Sequence, residues 1–307
     1  MQARISPPAL VALCAIACVA AVTGAYFYRS HADTTPSSLI SYLPRDSGVV
    51  AYLDVDALRR SGFLGMIAGP KSGEDSDYRQ FVTDTRFDYR KDLEALAVSI
   101  QGSDKFFALH GRFDWGALTN YVRQHGGACA GHFCRIEGSR PERQISFYRL
   151  RSNVMALAVS ADRDAAHRIG SRNQKFEDEI PPQPVWVALP GAVLRDSKSL
   201  PEGTRAFAAA LQNADTLLFT LGGQNGRLLL DANVTCHDSA AAIGLYAQLQ
   251  TATGALKDWL DHEHRKANPK DVTGVLTAGT FRREDRRVFG EWPVPRAFLE
   301  AVTGGSY

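Results

Sequence analysis

The pattern of apolar and polar positions divides the chain into one long apolar run and a body of short alternating segments. Residues 9–28, ALVALCAIACVAAVTGAYFY, form a run of twenty residues without a charged side chain. In a helix such a run rises about 30 Å, which is the thickness of the hydrocarbon core of a bilayer. The pattern therefore predicts an N-terminal transmembrane helix, followed by an α+β body.

Strands and capped helices alternate in the first half of that body. Runs with a period of two predict strands at 48–54, 93–101, 105–113, 133–137, 144–150 and 153–160. Three helices are predicted where a residue type that caps helix N-termini precedes a segment with a helical period. The capping residues are Asp54 or Asp56, Ser76 or Asp77, and Asp114. A helix predicted from 161 to 170 closes this half.

A similar order returns in the second half. Strands are predicted at 185–189, 215–221, 227–234, 273–281 and 287–292, and helices at 202–212, from Asp238 or Ser239 to Asn268, and at 296–302. Residues 93–118 and 215–243 both run strand, glycine turn, strand and capped helix, although few of their residues are identical. This order predicts a duplicated body, each half an antiparallel sheet under helices, in which pairing across the halves could fuse the sheets.

The apolar run has three interpretations: a retained anchor, a cleaved signal peptide and, because of Cys14 and Cys18, a bacterial lipoprotein, whose pattern the residues before either cysteine fit poorly. A signal peptide has an apolar centre of only about 7–15 residues, which favours retention, although Ser30-His31-Ala32 offers a cleavage site. The short tail is expected in the cytoplasm, so the body of this single-pass inner-membrane protein would lie in the periplasm. The predicted parts are an anchor or uncleaved signal at 1–30, linkers at 31–38 and 173–184, and α+β halves at 39–172 and 185–307.

Composition adds constraints on the body. Apolar residues make up 45% of the chain and charged residues 22%, which is typical of a globular protein with a sizeable core. The formal net charge is +2, so the overall field gives no reason to expect nucleic acid as a partner. The expected partners are the inner membrane, through residues 9–28, and an envelope protein.

Cysteine and histidine residues are concentrated in one short stretch. Cys129 and Cys134 lie five positions apart in GGACAGHFCRIEG and could form a disulfide in an oxidising compartment. His125 and His132 lie nearby, so a zinc site is an alternative, but structural zinc sites usually place a longer loop between paired ligands. Free side chains without a role are the third interpretation.

A cluster of arginines marks the last predicted hairpin. In FRREDRRVF, at 281–289, four arginines flank two acidic residues, and they are Arg282, Arg283, Arg286 and Arg287. Guanidinium groups suit phosphate, so these residues are candidates for contact with an anion. The alternative is a hairpin tip whose opposite charges pair in water.

No established catalytic motif occurs in the sequence. There is no Gly-x-Ser-x-Gly elbow and no phosphate-binding Gly-x-x-x-x-Gly-Lys loop, and the glycines at 222–226 join two predicted strands instead of a strand and a helix. Paired acids such as Asp54 and Asp56 are explained by helix capping. The sequence therefore predicts no catalytic residue, no cofactor and no metal site.

Two segments, LISYLPRDSGVVAYLDVDALRRSG at 39–62 and FDYRKDLEALAVSIQGSDKFFALHGRFDW at 87–115, resemble uncharacterised bacterial membrane-anchored proteins. This resemblance covers about the first half of the body, and it implies a location and a fold without catalytic residues. The expected function is non-enzymatic binding of a protein or envelope component at the membrane. A periplasmic hydrolase, with a site assembled from distant loops, is the alternative.

Overall fold

The computed structural model describes residues 35–44, 48–68, 76–138, 140, 142–170, 180–195, 211–224 and 227–304. Within these ranges, no helix is long and apolar enough to cross a membrane. The predicted transmembrane helix at 9–28 lies outside the described residues, as do 202–210 of a predicted helix and 173–179 of the predicted boundary linker.

Twelve strands form the sheet of the described chain. They are β1 (Val49–Asp54), β2 (Leu93–Gln101), β3 (Asp104–Gly111), β4 (Ala128–Ala130), β5 (Phe133–Glu137), β6 (Gln144–Arg151), β7 (Val154–Ser160), β8 (Val185–Pro190), β9 (Ala214–Gln224), β10 (Arg227–Cys236), β11 (Thr280–Glu284) and β12 (Arg287–Val294). The helices are α1 (Pro36–Ser41), α2 (Val55–Arg60), α3 (Phe63–Ala68), α4 (Ser76–Thr85), α5 (Tyr89–Asp92), α6 (Trp115–Gln124), α7 (Gly191–Arg195), α8 (Ser239–His262), α9 (Val272–Leu276) and α10 (Arg296–Gly304), with a 3₁₀ turn at Ala165–Arg168.

One antiparallel sheet runs through both halves of the body. Its strand order is β11-β12-β10-β9-β8-β1-β2-β3-β7-β6-β5-β4. At the centre, β1 pairs with β8 from Val50 opposite Ala188 to Leu53 opposite Val185, so the two halves share one sheet, as the sequence allowed. Read outward from this pair, the order is β1, β2, β3, β7, β6 on one side and β8, β9, β10, β12, β11 on the other. The α+β class and the antiparallel sheet are therefore confirmed.

The long helices α6 and α8 pack on the same face of the sheet, which we call the α8 face. Both helices begin at an aspartate whose carboxylate accepts a backbone N–H, Asp114 for α6 and Asp238 for α8. On β10, alternate residues such as Ala232 and Val234 point to this face and form a core with Leu245 of α8. The burial of these apolar side chains holds the helices on the sheet.

The opposite face, which we call the α1 face, is closed in the first half by α1. Its strands carry small residues at the contact, namely Ala95, Ala97, Ala108, Ala156 and Ala158. Because alanine leaves room above the sheet, α1 lies close enough to bury Leu39 and Ile40 completely. This helix begins at residue 36, so the last three residues of the linker predicted at 31–38 are helical.

Several local predictions were wrong. Residues 161–170 form only the 3₁₀ turn, because the side chains of Ser160 and Asp162 bind backbone N–H groups that a helix would use. Residues 272–276 are helical where a strand was predicted, because Asp271 caps them by accepting the N–H of Thr273. The sequence patterns also missed α1, α5, α7 and β4.

Candidate functional site

The α1 face of the second half carries polar side chains where the first half carries alanine. On β9 and β10 this face presents Thr216, Thr220, Asp231, Asn233 and Thr235. Polar groups of this kind cannot be buried under an apolar helix without unpaired hydrogen-bonding atoms. This part of the sheet is therefore suited to water or to a polar ligand.

Strand register arranges the site in three rows across β8, β9, β10, β12 and β11. The acidic row consists of Trp186, Thr220, Asp231, Glu291 and Thr280. The middle row consists of Ala188, Leu218, Asn233, Phe289 and Arg282, and the outer row of Pro190, Thr216, Thr235, Arg287 and Glu284. Successive rows lie two residues apart, which is roughly 7 Å along a strand.

A cleft of about 630 Å³ lies over these rows. The segment from Ile180 to Gln183 forms one wall, and the strands form the floor. Trp186 is buried in the floor at 1% exposure, with its ring 6.0 Å from that of Tyr52. Cavities of this size match the range of small-ligand pockets, about 300–1,000 Å³.

Two carboxylates meet in the acidic row. Asp231 and Glu291 are direct cross-strand partners, an arrangement that is unfavourable for like charges. Burial, and then the nearby Glu291 carboxylate, raise the pKa of Asp231, while a hydrogen bond from the Thr220 hydroxyl at 3.4 Å opposes this rise. Across the described ranges, no arginine, lysine or histidine forms an ion pair with either carboxylate.

Two amide oxygens of the cleft have no hydrogen-bond donor among the residues that the structure describes. They are Oε1 of Gln183 and Oδ1 of Asn233, and both atoms are fully buried. Gln183 lies over Gly222, where an added Cβ would stand 3.1 Å from its Cγ. A buried acceptor without a donor costs about 1–3 kcal/mol, so most buried acceptors in native proteins are paired.

Of the four arginines predicted to contact an anion, two line the cleft and two lie outside it. Arg282 and Arg287 line the cleft, and the Arg282 guanidinium stacks 3.8 Å above the Phe289 ring while forming an ion pair with Glu284. Arg283 donates to the backbone oxygen of Asp285, and Arg286 lies 3.8 Å from the Asp215 carboxylate. The four side chains therefore do not converge on one anion site.

The paired cysteines lie at the far edge of the sheet. Cys129 of β4 and Cys134 of β5 are direct cross-strand partners, and a disulfide joins them, with their Cα atoms 4.1 Å apart. Their side chains face α6, beside Phe147. Nowhere in the described part of the chain do three histidine, cysteine or acidic residues cluster as metal ligands would. Cys236 is a buried free thiol, and burial raises its pKa.

Comparisons with protein-family models and with curated proteins find no match. Crystal form III of TP0453 is similar in fold, with a TM-score of 0.52 at 9% identity over 87% of this chain and 98% of that chain. Crystal form I of TP0453 has a TM-score of 0.50 at 10% identity over 88% of this chain and 98% of that chain. At such identities the likeness shows the fold alone, and the function has to be argued from the site.

The acidic row was not among the residues singled out in the sequence. A signal for it was present, because alternation in LLLDANVTC places Asp231, Asn233 and Thr235 on one side of a strand whose other side is apolar. A polar side of a strand usually faces solvent, so this pattern alone does not indicate a cleft. The proximity of Glu291 depends on the β10–β12 register.

Proposed function

We propose that the chain is a membrane-anchored extracytoplasmic binding protein that holds an envelope component in the cleft on the α1 face. The observation that carries this proposal is the polar floor of the cleft, beside a first half whose equivalent face is closed by α1. A pocket with a buried aromatic side chain and a few convergent polar groups is the usual form of a ligand site. Trp186, Asp231 and Asn233 supply these features.

The chemistry of the lining supports binding over catalysis. Among the described residues that line the cleft, none is histidine, cysteine, serine or lysine, so the two carboxylates are the acid–base groups that a hydrolase could use there. The lining instead offers threonine hydroxyls, amides, two carboxylates and two arginines. Such groups orient a ligand through hydrogen bonds and charge.

The location of the protein is part of the same proposal. Residues 9–28 would hold the chain in the inner membrane as a single pass, with the body in the periplasm. The Cys129–Cys134 disulfide supports this placement, because disulfides persist in oxidising compartments and are rare in the cytosol. The resemblance of residues 39–62 and 87–115 to membrane-anchored proteins supports the same location.

We also propose that the two halves are copies of one duplicated unit. The matching outward strand orders support this, as do α6 and α8, which each follow the third strand of their half and pack on the same face. In this interpretation the copies diverged on the α1 face. One copy kept alanines beneath α1, and the other acquired the polar rows of the cleft.

Native mass spectrometry of the full chain, extracted from its own membranes, tests the binding function. We expect the wild type to retain a non-covalent ligand and the Thr216→Trp variant to lose it. Thr216 is an exposed residue of the cleft, and a tryptophan side chain at this position would occupy the space of the ligand. Ala247→Trp, at an exposed position of α8, is the matched control and should retain the ligand. Equal retention in both variants, or no ligand on the wild type, would contradict the proposal.

The carboxylate pair favours hydrolysis as a second candidate function. An acid with a raised pKa beside another carboxylate is a common arrangement for general acid–base catalysis. Incubation of the extracted ligand with fresh wild-type protein separates the two functions. A binding protein leaves the ligand mass unchanged, whereas a hydrolase yields products that together contain one added water, and Asp231→Asn would abolish their formation.

A further inference from the structure

The acidic row contains negative charge that no described arginine, lysine or histidine pairs with. Asp231 and Glu291 face each other across β10 and β12, where the Cβ atoms of direct partners lie about 4.5–5.5 Å apart. The nearest arginine across the strands, Arg282, is in the next row, where it pairs with Glu284 and stacks on Phe289. A cation bound between the two carboxylates would relieve their repulsion.

The neighbouring polar groups also lack donors. Oδ1 of Asn233 and Oε1 of Gln183 accept no hydrogen bond from any described residue, and the Thr220 hydroxyl already donates to Asp231. The two carboxylates and these two amide oxygens are all acceptors, and the indole N–H of Trp186 lies in the same row. A ligand that complements them must bring N–H or O–H groups together with positive charge.

From this combination, which rests on the proposed binding function, we infer that the ligand carries a primary ammonium group that binds in the acidic row between Asp231 and Glu291. An ammonium group has three N–H donors, two for the carboxylates and one for the Asn233 amide oxygen, which a rotation of that side chain would turn into the cleft. Hydrogen bonds between an ammonium and a carboxylate are about twice as strong as neutral ones. The rest of the ligand would extend along the middle row.

The outer row limits what else the ligand can carry. Arg287 lies four residues from Glu291 on β12, roughly 14 Å away along the strand, and it lines the same cleft. A ligand long enough to reach Arg287 would place an anionic or neutral polar group there, because a second cation would be repelled. A second amine is therefore disfavoured only on a ligand long enough to reach Arg287.

Calorimetric titration of the full chain tests the inference with a simple probe, 1,5-diaminopentane, and with 1,5-pentanediol as the uncharged equivalent. We expect the diamine to bind and the diol to fail. Asp231→Asn and Glu291→Gln should each weaken diamine binding about tenfold or more, the loss expected for one hydrogen bond between charged groups. Glu300→Gln, which removes an exposed carboxylate of α10, should leave the affinity unchanged.

Three results would overturn the inference. The first is equal affinity for the diol and the diamine. The second is an equal effect of Asp231→Asn and Glu300→Gln on diamine affinity. The third is a protein that binds calcium, from calcium chloride, in a way that requires Asp231 but does not bind the diamine. If the ligand retained by the wild type is lost in Thr216→Trp and contains no amine, the ammonium inference is wrong and the binding function stands. Absence of any retained ligand contradicts the binding function itself, whatever the diamine does.

Discussion

Replacement of Asp231 by asparagine is expected to stabilise the folded protein at neutral pH, although the substitution lies in the proposed binding site. Asparagine is nearly isosteric and can still accept the hydrogen bond from the Thr220 hydroxyl. It removes the cross-strand repulsion from Glu291, and such like-charge pairs cost about 0.2–1 kcal/mol. In a body of this size that corresponds to a rise in Tm of up to about 4 °C.

The pH dependence of this gain follows from the raised pKa of Asp231. The folded state binds the proton more tightly than the unfolded chain, whose aspartate keeps the ordinary value of 3.8. Asp231 therefore favours folding below that value, and this contribution is lost as the pH rises through the folded pKa. The advantage of asparagine should be complete above the folded pKa and should disappear below about pH 4, where both forms are neutral.

A double-mutant cycle measures the repulsion directly. Thermal unfolding of the full chain is followed for the wild type, Asp231→Asn, Glu291→Gln and the double variant at pH 7.5 and at pH 4. At the higher pH we expect the second substitution to stabilise less than the first, because one neutral partner already removes the repulsion. At pH 4 the coupling should shrink.

Either of two results would refute this reasoning. A loss of stability in Asp231→Asn at pH 7.5 would mean that the carboxylate has a cationic partner in the folded protein. Strict additivity of the two substitutions at that pH would mean that the two carboxylates do not interact. In both cases the inference of a bound ammonium group would lose its electrostatic basis.

The other predictions concern the fold and its location. Ile40→Ala, at a fully buried position of α1, should lower the free energy of unfolding by about 2–5 kcal/mol in chemical denaturation. Ser37→Ala, on the exposed side of the same helix, should change it little. Equal effects of the two substitutions would show that α1 does not close the sheet. Paired replacement of Cys129 and Cys134 by serine should cost about 2 kcal/mol through the lost loop constraint, and an unchanged denaturation midpoint would contradict this. After reduction, a membrane-impermeant thiol reagent should label Cys129, which is half-buried, in intact spheroplasts, while Cys134 is buried. Labelling of Cys129 that appears only after lysis would place the body in the cytoplasm.

Local features of the fold were predictable because their causes lie within a few residues. Asp54, Asp114 and Asp238 were expected to cap helices, and each carboxylate accepts a backbone N–H three residues ahead. The hairpin β2–β3 turns at Gly102, which has a φ of +59°, a conformation that glycine adopts at low cost. Local hydrogen bonds also explain the failures, since Asp271 created a helix where apolar alternation had predicted a strand.

Long-range features were not predictable, because they depend on which strands become neighbours. The sequence shows that one side of β10 is polar, but only the β10–β12 register brings Glu291 opposite Asp231. The disulfide pair could be proposed because Cys129 and Cys134 are close in the sequence. The four arginines were also close in the sequence, yet alternation along β11 and β12 directs Arg282 and Arg287 to the cleft face and Arg283 to the other.

The sequence by itself determined the α+β class, the alternation of strands and capped helices, and the apolar run at 9–28, since each follows from periodicity or composition. The tertiary structure decided which face of the sheet is closed. Alanines far apart in the sequence align beneath α1 in the first half, and a like-charged pair aligns in the second half. Side-chain size and charge act through these contacts, so small apolar residues specify a core in one half and polar residues at the equivalent positions specify a cleft in the other.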